Sequence, residues 1–251
     1  MSARTLIVIP ARLASTRLPR KLLLDETGKP LIQHTYEAAS RATRADAILV
    51  AADHDEIIAA VRRFGGRVEA TDPSCRSGTD RVAEIATRYP DYDLFVNVQG
   101  DEPEIRATAI DEAIRQLADS PQLSMSTLAT PIREKQKLLD PSCVKVVFDG
   151  QRRAMYFSRS PIPHAREWED SLLQHDPPHF FQHIGLYAYR RDFLLQLASL
   201  PQSDHERLEK LEQLRVLDAG YAIAVGVVDE PTIGVDTPDD YRAFVSRWRN
   251  C

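Results

Sequence analysis

The chain has 251 residues, enough to bury a large core, and we read residues 1–251 as one elaborated domain rather than two compact ones. Its 43% hydrophobic and 27% charged residues, with a mean hydropathy of -0.34, exclude a disordered or fibrous chain, and the net charge of -5 argues against a duplex nucleic-acid partner. The three cysteines, Cys75, Cys143 and Cys251, are far apart and odd in number, so they read as free thiols rather than as a disulfide framework or metal site.

The first apolar run, Thr5-Leu6-Ile7-Val8-Ile9, is too short and wrongly flanked for a signal peptide. No later run reaches membrane-spanning length, so a cytoplasmic setting without a membrane partner is expected. Strands are predicted at Leu6 to Ala11, Ala47 to Asp53, Val68 to Thr71, Asp93 to Gln99 and Met125 to Thr130. Helical stretches at roughly 31 to 43, 54 to 64, 78 to 89 and 107 to 119 lie between them. That alternation is the pattern of a doubly wound, mostly parallel α/β sheet, Rossmann-like in its layering. From about Ile132 the rhythm changes: strands at Val144 to Phe148 and Ala154 to Ser158, then the proline- and histidine-bearing stretch Pro161 to His179, read as an inserted β-rich arm. A strand at Ile184 to Tyr189, helices near 191 to 199 and 204 to 219, a strand at Ile223 to Val228 and a helix after Pro238 complete the chain.

Several segments carry candidate chemistry. Pro10 to Lys21 follows the first strand and holds Arg12, Arg17, Arg20 and Lys21 without an acid, at the edge where open α/β sheets bind ligands. Such cations suit a triphosphate whose pyrophosphate must leave, although a solvated basic loop has the same composition. Residues 10 to 27 contain no glycine, against a dinucleotide-binding turn, and no GxxxxGK[ST] loop occurs, against a P-loop NTPase. The fourth strand ends in Gln99-Gly100-Asp101-Glu102-Pro103, two carboxylates suited to Mg²⁺ but equally good turn chemistry. In Gly234 to Asp240, Thr237 can cap a helix, with Pro238 at its first position and Asp240 completing a capping box. Asp236 is then left free to join Asp101 on a metal.

Ser77 and Asp80 form a helix cap on paper, which leaves Arg81 unexplained and open to nucleotide contacts. On the helix expected at 204 to 219, Leu208, Leu211, Leu214 and Leu217 form a buried stripe, and Glu209, Glu212 and Gln213 a neighbouring polar face that is ordinarily solvated. His179 and His183 lack the carboxylate that a zinc motif would supply, so His183 reads as a hydrogen-bond donor.

In order and spacing, these segments resemble the 3-deoxy-manno-octulosonate (Kdo) cytidylyltransferases, also called CMP-Kdo synthetases. The likeness runs through PARLASTRLPRK at 10 to 21, AADH at 51 to 54, SGTDR at 77 to 81, VNVQGDEP at 96 to 103 and VKVV at 144 to 147. It continues through YFSRSPIP at 156 to 163, HIGLYAYR at 183 to 190, LEQLR at 211 to 215 and GVDTPDD at 234 to 240. The resemblance implies that Arg12 and Lys21 hold the CTP phosphates and that Ala52, Asp53, Ser77 and Arg81 lie near the cytidine. It further implies that Gln99, Arg159, His183, Tyr187, Glu212 and Gln213 contact the sugar acid, and that Asp101 and Asp236 bind catalytic Mg²⁺. A homodimer formed through an arm at roughly 130 to 190 is also implied. One position departs from the pattern: Arg20 stands where the family commonly has glycine, which adds a phosphate contact or alters loop closure.

The expected reaction is attack by the anomeric hydroxyl of Kdo on the α-phosphorus of CTP, giving CMP-Kdo for lipopolysaccharide synthesis and pyrophosphate. Its alternatives are a cytidylyltransferase for 8-amino-Kdo or sialic acid, and a non-catalytic nucleotide-binding regulator on the same fold. An NAD-dependent reductase is disfavoured by the missing glycines.

Overall fold

The structure, a computed structural model, describes residues 3–249, so the reading of Cys251 as a free thiol lies outside the described residues. Strands β1 (Thr5–Ala11), β2 (Ala47–Ala52), β3 (Val68–Ala70) and β4 (Leu94–Asn97) alternate with helices α1 (Leu31–Ala39), α2 (Asp55–Arg63) and α3 (Gly78–Arg88). Then follow α4 (Ala107–Ala118), β5 (Met125–Pro131), a short α5 (Lys135–Leu139), β6 (Lys145–Phe148), β7 (Ala154–Ser158) and β8 (Phe181–Arg190). Helices α6 (Arg191–Leu197), α7 (Asp204–Glu209) and α8 (Gln213–Asp218), strand β9 (Ile223–Val227) and helix α9 (Pro238–Arg249) close the chain.

The main sheet runs β3-β2-β1-β4-β8-β5-β9, parallel throughout except for β8, which lies antiparallel between β4 and β5. The expected doubly wound, mostly parallel sheet is therefore present. Both faces of β1 are buried: Leu6 and Val8 belong to one core layer with α3 and α8, Ile7 and Ile9 to the other with α1 and α9. This two-sided burial is why the strand reads as a continuous apolar run rather than an alternation. The chain leaves β1 toward β2 on one side and returns to β4 on the other, so the sheet reverses direction at the β1/β4 pair. The crevice beyond the C-terminal ends of those two strands is where such sheets take ligands.

Between β5 and β8, the hairpin β6–β7 joins the sheet through Lys145 opposite Gln182. A small separate core of Ile132, Leu138, Cys143, Leu173 and Phe180 lies beside it.

One expectation fails. Residues 204 to 219 are not a single helix: Lys210 takes a left-handed conformation at φ 54°, and the chain restarts as α8. The break rotates the second half against the first, so Leu208 is 80% exposed while Leu211 and Leu214 are buried. It also turns Gln213, expected on a solvated face, into the interior. The bidentate pair Arg215–Glu206, with Nε to Oε2 at 2.8 Å and Nη2 to Oε1 at 2.6 Å, ties the two short helices together across the break.

Phe157 on β7 is fully buried, its ring 4.9 Å edge-on from that of His183. We expect Phe157→Ala to cost about 3–5 kcal/mol in denaturant unfolding. A loss below about 1 kcal/mol would show that β7 does not pack in the core as described.

Candidate functional site

The segment after β1 and the turn after β4 meet at the sheet reversal. Gly100 sits so close to the end of β1 that a Cβ there would lie 3.0 Å from the carbonyl oxygen of Pro10. Thr35 Oγ1 of α1 donates to the Gly100 carbonyl at 2.9 Å, and Val98 N donates to Val8 O at 3.1 Å, fixing the turn against its neighbours. Asp101 follows. Its carbonyl accepts from Val235 N at 2.8 Å, which brings the segment before α9 alongside. There the capping box forms as read from sequence: Asp240 N donates to Thr237 Oγ1 at 3.2 Å, and Thr237 N to Asp240 Oδ2 at 2.9 Å. With the cap made by Thr237 and Asp240, the Asp236 carboxylate is free to face Asp101.

One ammonium joins the two carboxylates. Lys21 Nζ donates to Asp101 Oδ2 and, at 3.0 Å, to Asp236 Oδ1, and Arg17 Nη2 lies 2.8 Å from the same Asp236 oxygen. Burial works against the charge on Lys21, but Asp101 and Asp236 outweigh it and hold its pKa above the usual lysine range. No cluster of three or more His, Cys, Asp or Glu suited to a metal occurs among the described residues. A cleft of about 250 Å³, lined by Arg12, Ser15, Lys21, Gln99 and Asp101 among others, opens beside the pair.

A second group lies at the end of β2. Asp53 Oδ1 accepts from Leu13 N at 3.0 Å, gripping the cationic segment, while its Oδ2 lies 3.7 Å from Arg81 Nη2. Arg81 is fully buried on α3, where it donates to Thr71 Oγ1, and its Nε and Nη2 have no hydrogen-bond partner among the described residues. Arg12 donates to the Cys75 carbonyl and so bridges the cationic segment to the loop before α3. Ala52 is the buried last residue of β2, directly before Asp53. Ser77 caps α3 as expected, accepting from Asp80 N at 3.1 Å, and it also donates to Glu212 Oε1 at 3.3 Å.

Glu212 begins a third, largely buried polar group. It accepts from Thr79 Oγ1 at 3.1 Å, and burial raises its pKa. Gln213 beside it is buried with Nε2 unpartnered among the described residues. Gln99 Nε2 donates to Asn97 Oδ1 at 3.4 Å, and Tyr187 stands opposite Asn97 across β4 and β8. His183 is hydrogen-bonded through Nε2 to Thr127 Oγ1 at 2.9 Å, and burial depresses its pKa to about 3, so the ring is neutral. Burial drives the Tyr187 hydroxyl well above its ordinary value. Arg159 stands apart from these: its guanidinium donates to the carbonyls of Glu209 at 2.7 Å and Pro141 at 3.1 Å. No hydrogen bond joins it to Gln99, His183, Tyr187, Glu212 or Gln213 among the described residues.

Three buried or paired groups escaped the sequence reading. Arg17 was visible only as one cation of a run, and its pairing with Asp236 needed the fold. Lys145 is fully buried, donating to the carbonyls of Asp140 at 2.9 Å, Cys143 at 2.6 Å and Arg159 at 2.6 Å. Nothing in VKVV signals that arrangement. Glu102, which in sequence had only proximity to recommend it, is buried with Oε2 unpartnered among the described residues. Burial, then the charge of Asp101, raises its pKa from 4.5 to about 8.

That shift has a sign. Between 4.5 and about 8 the folded chain holds a proton on Glu102 that the unfolded chain releases. Its contribution to stability is therefore complete below pH 4.5 and is lost as pH rises through 8. In chelator-treated buffer, Glu102→Gln is expected to gain stability relative to the parent as pH goes from about 5 to about 8. An unchanged difference in denaturation midpoint across that range would show that Glu102 carries no buried proton.

Comparison with known proteins places the chain among relatives of the same build. A family model described as Cytidylyltransferase matches residues 6–223. A 3-deoxy-manno-octulosonate cytidylyltransferase of Rhodopirellula baltica is 47% identical over 245 residues, covering 97% of this chain and 98% of that protein. One from Geotalea daltonii is 48% identical over 247 residues, covering 97% of each. A solved CMP:2-keto-3-deoxy-manno-octonic acid synthetase complexed with CTP superposes with a TM-score of 0.91 at 39% identity, covering 99% of both chains. With likeness at this level over almost the whole length, the chain belongs to the cytidylyltransferase family, as one of its 3-deoxy-manno-octulosonate cytidylyltransferases.

Proposed function

We propose that this enzyme transfers CMP from CTP to the anomeric hydroxyl of Kdo, releasing pyrophosphate and supplying CMP-Kdo for lipopolysaccharide synthesis in the cytoplasm. The observation that carries the reading is the meeting of Asp101 and Asp236 on one ammonium, beside a cationic segment at the sheet reversal. The names of the near-full-length relatives supply the substrates.

Two carboxylates that already converge on a single positive charge fit a hard divalent ion, and Asp101 and Asp236 would hold Mg²⁺ together with phosphate oxygens. When bound, that ion supplies Lewis-acid stabilisation and lowers the pKa of a nearby hydroxyl. The rest falls to the chain. Arg12 and Lys21 balance charge on the departing pyrophosphate, from a segment anchored by the bond from Leu13 N to Asp53 and by the close approach of Gly100 to Pro10. Buried Arg81 offers unpartnered N–H groups to the nucleotide, next to Asp53, Ala52 and Ser77. The polar group of Gln99, His183, Tyr187, Glu212 and Gln213 receives the sugar acid, with neutral His183 able to share hydrogen bonds without adding charge. Arg159, engaged with main-chain carbonyls here, turns toward the substrate carboxylate as it binds. Most of the acceleration comes from positioning and electrostatics, as in phosphoryl-type transfer generally.

We read the segment at about 130–190 as a homodimerisation arm, supported by exposed Leu139 and Met155, 58% and 65% accessible. Sedimentation should then give a mass near twice 28.3 kDa, and a monomer at micromolar concentration would end this part of the reading.

Asp236→Asn should lower kcat by about 10²–10³, the scale for losing one electrostatic stabiliser of a transition state. CTP binding measured by calorimetry should stay within a few-fold of the parent. Near-normal turnover at saturating Mg²⁺ would sink the two-aspartate site. For the acceptor, CTP-dependent pyrophosphate release should give the highest kcat/KM with Kdo in a panel that includes 8-amino-Kdo and sialic acid. A higher value for either rival would transfer the assignment to it, since a single hydroxyl-to-amine change rests on few contacts.

A further inference from the structure

Lys21 has two claims on it. The proposed reaction asks it to hold a phosphate, yet its Nζ is spent on Asp101 and Asp236. The side chain is only 14% exposed, so this is no solvated surface pair. Arg17 adds a second positive charge to the same Asp236 oxygen at 2.8 Å. Both cations belong to the segment of residues 10–21 that also carries Arg12. Two neighbouring carboxylates without counter-charge repel each other, and here the counter-charge is internal.

We propose that Lys21, assisted by Arg17, is a resident counter-cation: it occupies the position between Asp101 and Asp236 until a nucleoside triphosphate draws it away, and only then does the pair accept a divalent ion. This rests on the reading of Asp101 and Asp236 as the metal-holding pair. The exchange conserves charge locally. A triphosphate brings several negative charges to the segment, the ammonium moves onto phosphate oxygens, and the two carboxylates, stripped of their partner, bind a divalent cation that the same phosphates also ligate. The chain thereby avoids holding an unneutralised carboxylate pair in either state. Divalent binding in the absence of nucleotide is accordingly weak, and nucleotide and metal load together.

The test measures Mn²⁺ binding to the nucleotide-free full-length protein from the electron paramagnetic resonance of free Mn²⁺ at low ionic strength. Lys21→Met should bind Mn²⁺ roughly tenfold or more tightly than the parent, the scale on which one adjacent opposite charge alters proton binding to a carboxylate. The gain should vanish in the Lys21→Met, Asp101→Asn double variant. Arg17→Met, altering a side chain 66% exposed and safe for folding, should tighten Mn²⁺ by a smaller factor. Equal affinities in the parent, Lys21→Met and Arg17→Met, together with Asp101-dependent Mn²⁺ binding in the presence of CTP, would overturn the counter-cation role and leave the metal pair standing. Absence of any Asp101-dependent Mn²⁺ binding, with or without CTP, would instead overturn the metal pair itself.

Discussion

Two carboxylates held on one ammonium, at the point where a parallel sheet reverses direction, form the contact to which the other features of the site are subordinate. Like charges do not approach unless something fixes their backbones and something else neutralises them. The backbone is fixed by the bond from Val235 N to Asp101 O, which joins the turn after β4 to the segment before α9. Neutralisation comes from Lys21, delivered by a 3-10 turn at 21–23 directly after the cationic segment. Remove the sheet reversal and the three segments have no common edge.

Farther along the same edge the interior stays polar without holding a full charge of either sign that lacks a partner. Glu212 is answered by Ser77 and Thr79, His183 is kept neutral and bonded to Thr127, and Lys145 spends its three donors on carbonyls. A buried polar group costs little when bonded and much when not, so the exceptions are informative. Among the described residues, unpartnered buried side-chain atoms remain on Arg81, Glu102, Thr130 and Gln213.

Much of this was legible in one dimension, and each exception has a physical cause. The strands, the sheet class and the freedom of Asp236 follow from local rules: apolar runs between helical patterns, and a capping box that needs only Thr237 and Asp240. The polar helix face was misjudged because periodicity assumes an unbroken helix, and nothing in Glu209-Lys210-Leu211 announces a left-handed lysine at φ 54°. That single residue re-aims Gln213 inward and leaves Leu208 outside. Arg17 and Lys145 were missed for another reason. Their partners lie on other segments or are main-chain carbonyls, and a carbonyl has no sequence signature. The buried state of Glu102 is illegible for the same lack of context, since burial is a property of the fold and not of Gly-Asp-Glu-Pro.

Arg20 shows how magnitudes decide between readings that composition leaves open. Its guanidinium turns away from the carboxylate pair to meet Glu56 on α2, with Nη1 to Oε1 at 3.2 Å, so it adds no phosphate contact in this conformation. Its backbone is left-handed at φ 56°, a conformation costing a non-glycine residue about 1–2 kcal/mol. Both partners are about half exposed, and such an ion pair returns about 0–1 kcal/mol. The salt bridge therefore does not cause the conformation. The 3-10 turn does: Leu23 N donates to Arg20 O at 2.9 Å and Lys21 N to Leu18 O at 3.2 Å, and together they set the angle at which Lys21 enters the crevice. Arg20 is tolerated because Glu56 offsets part of the cost, and the geometry it tolerates is the one that puts an ammonium between Asp101 and Asp236.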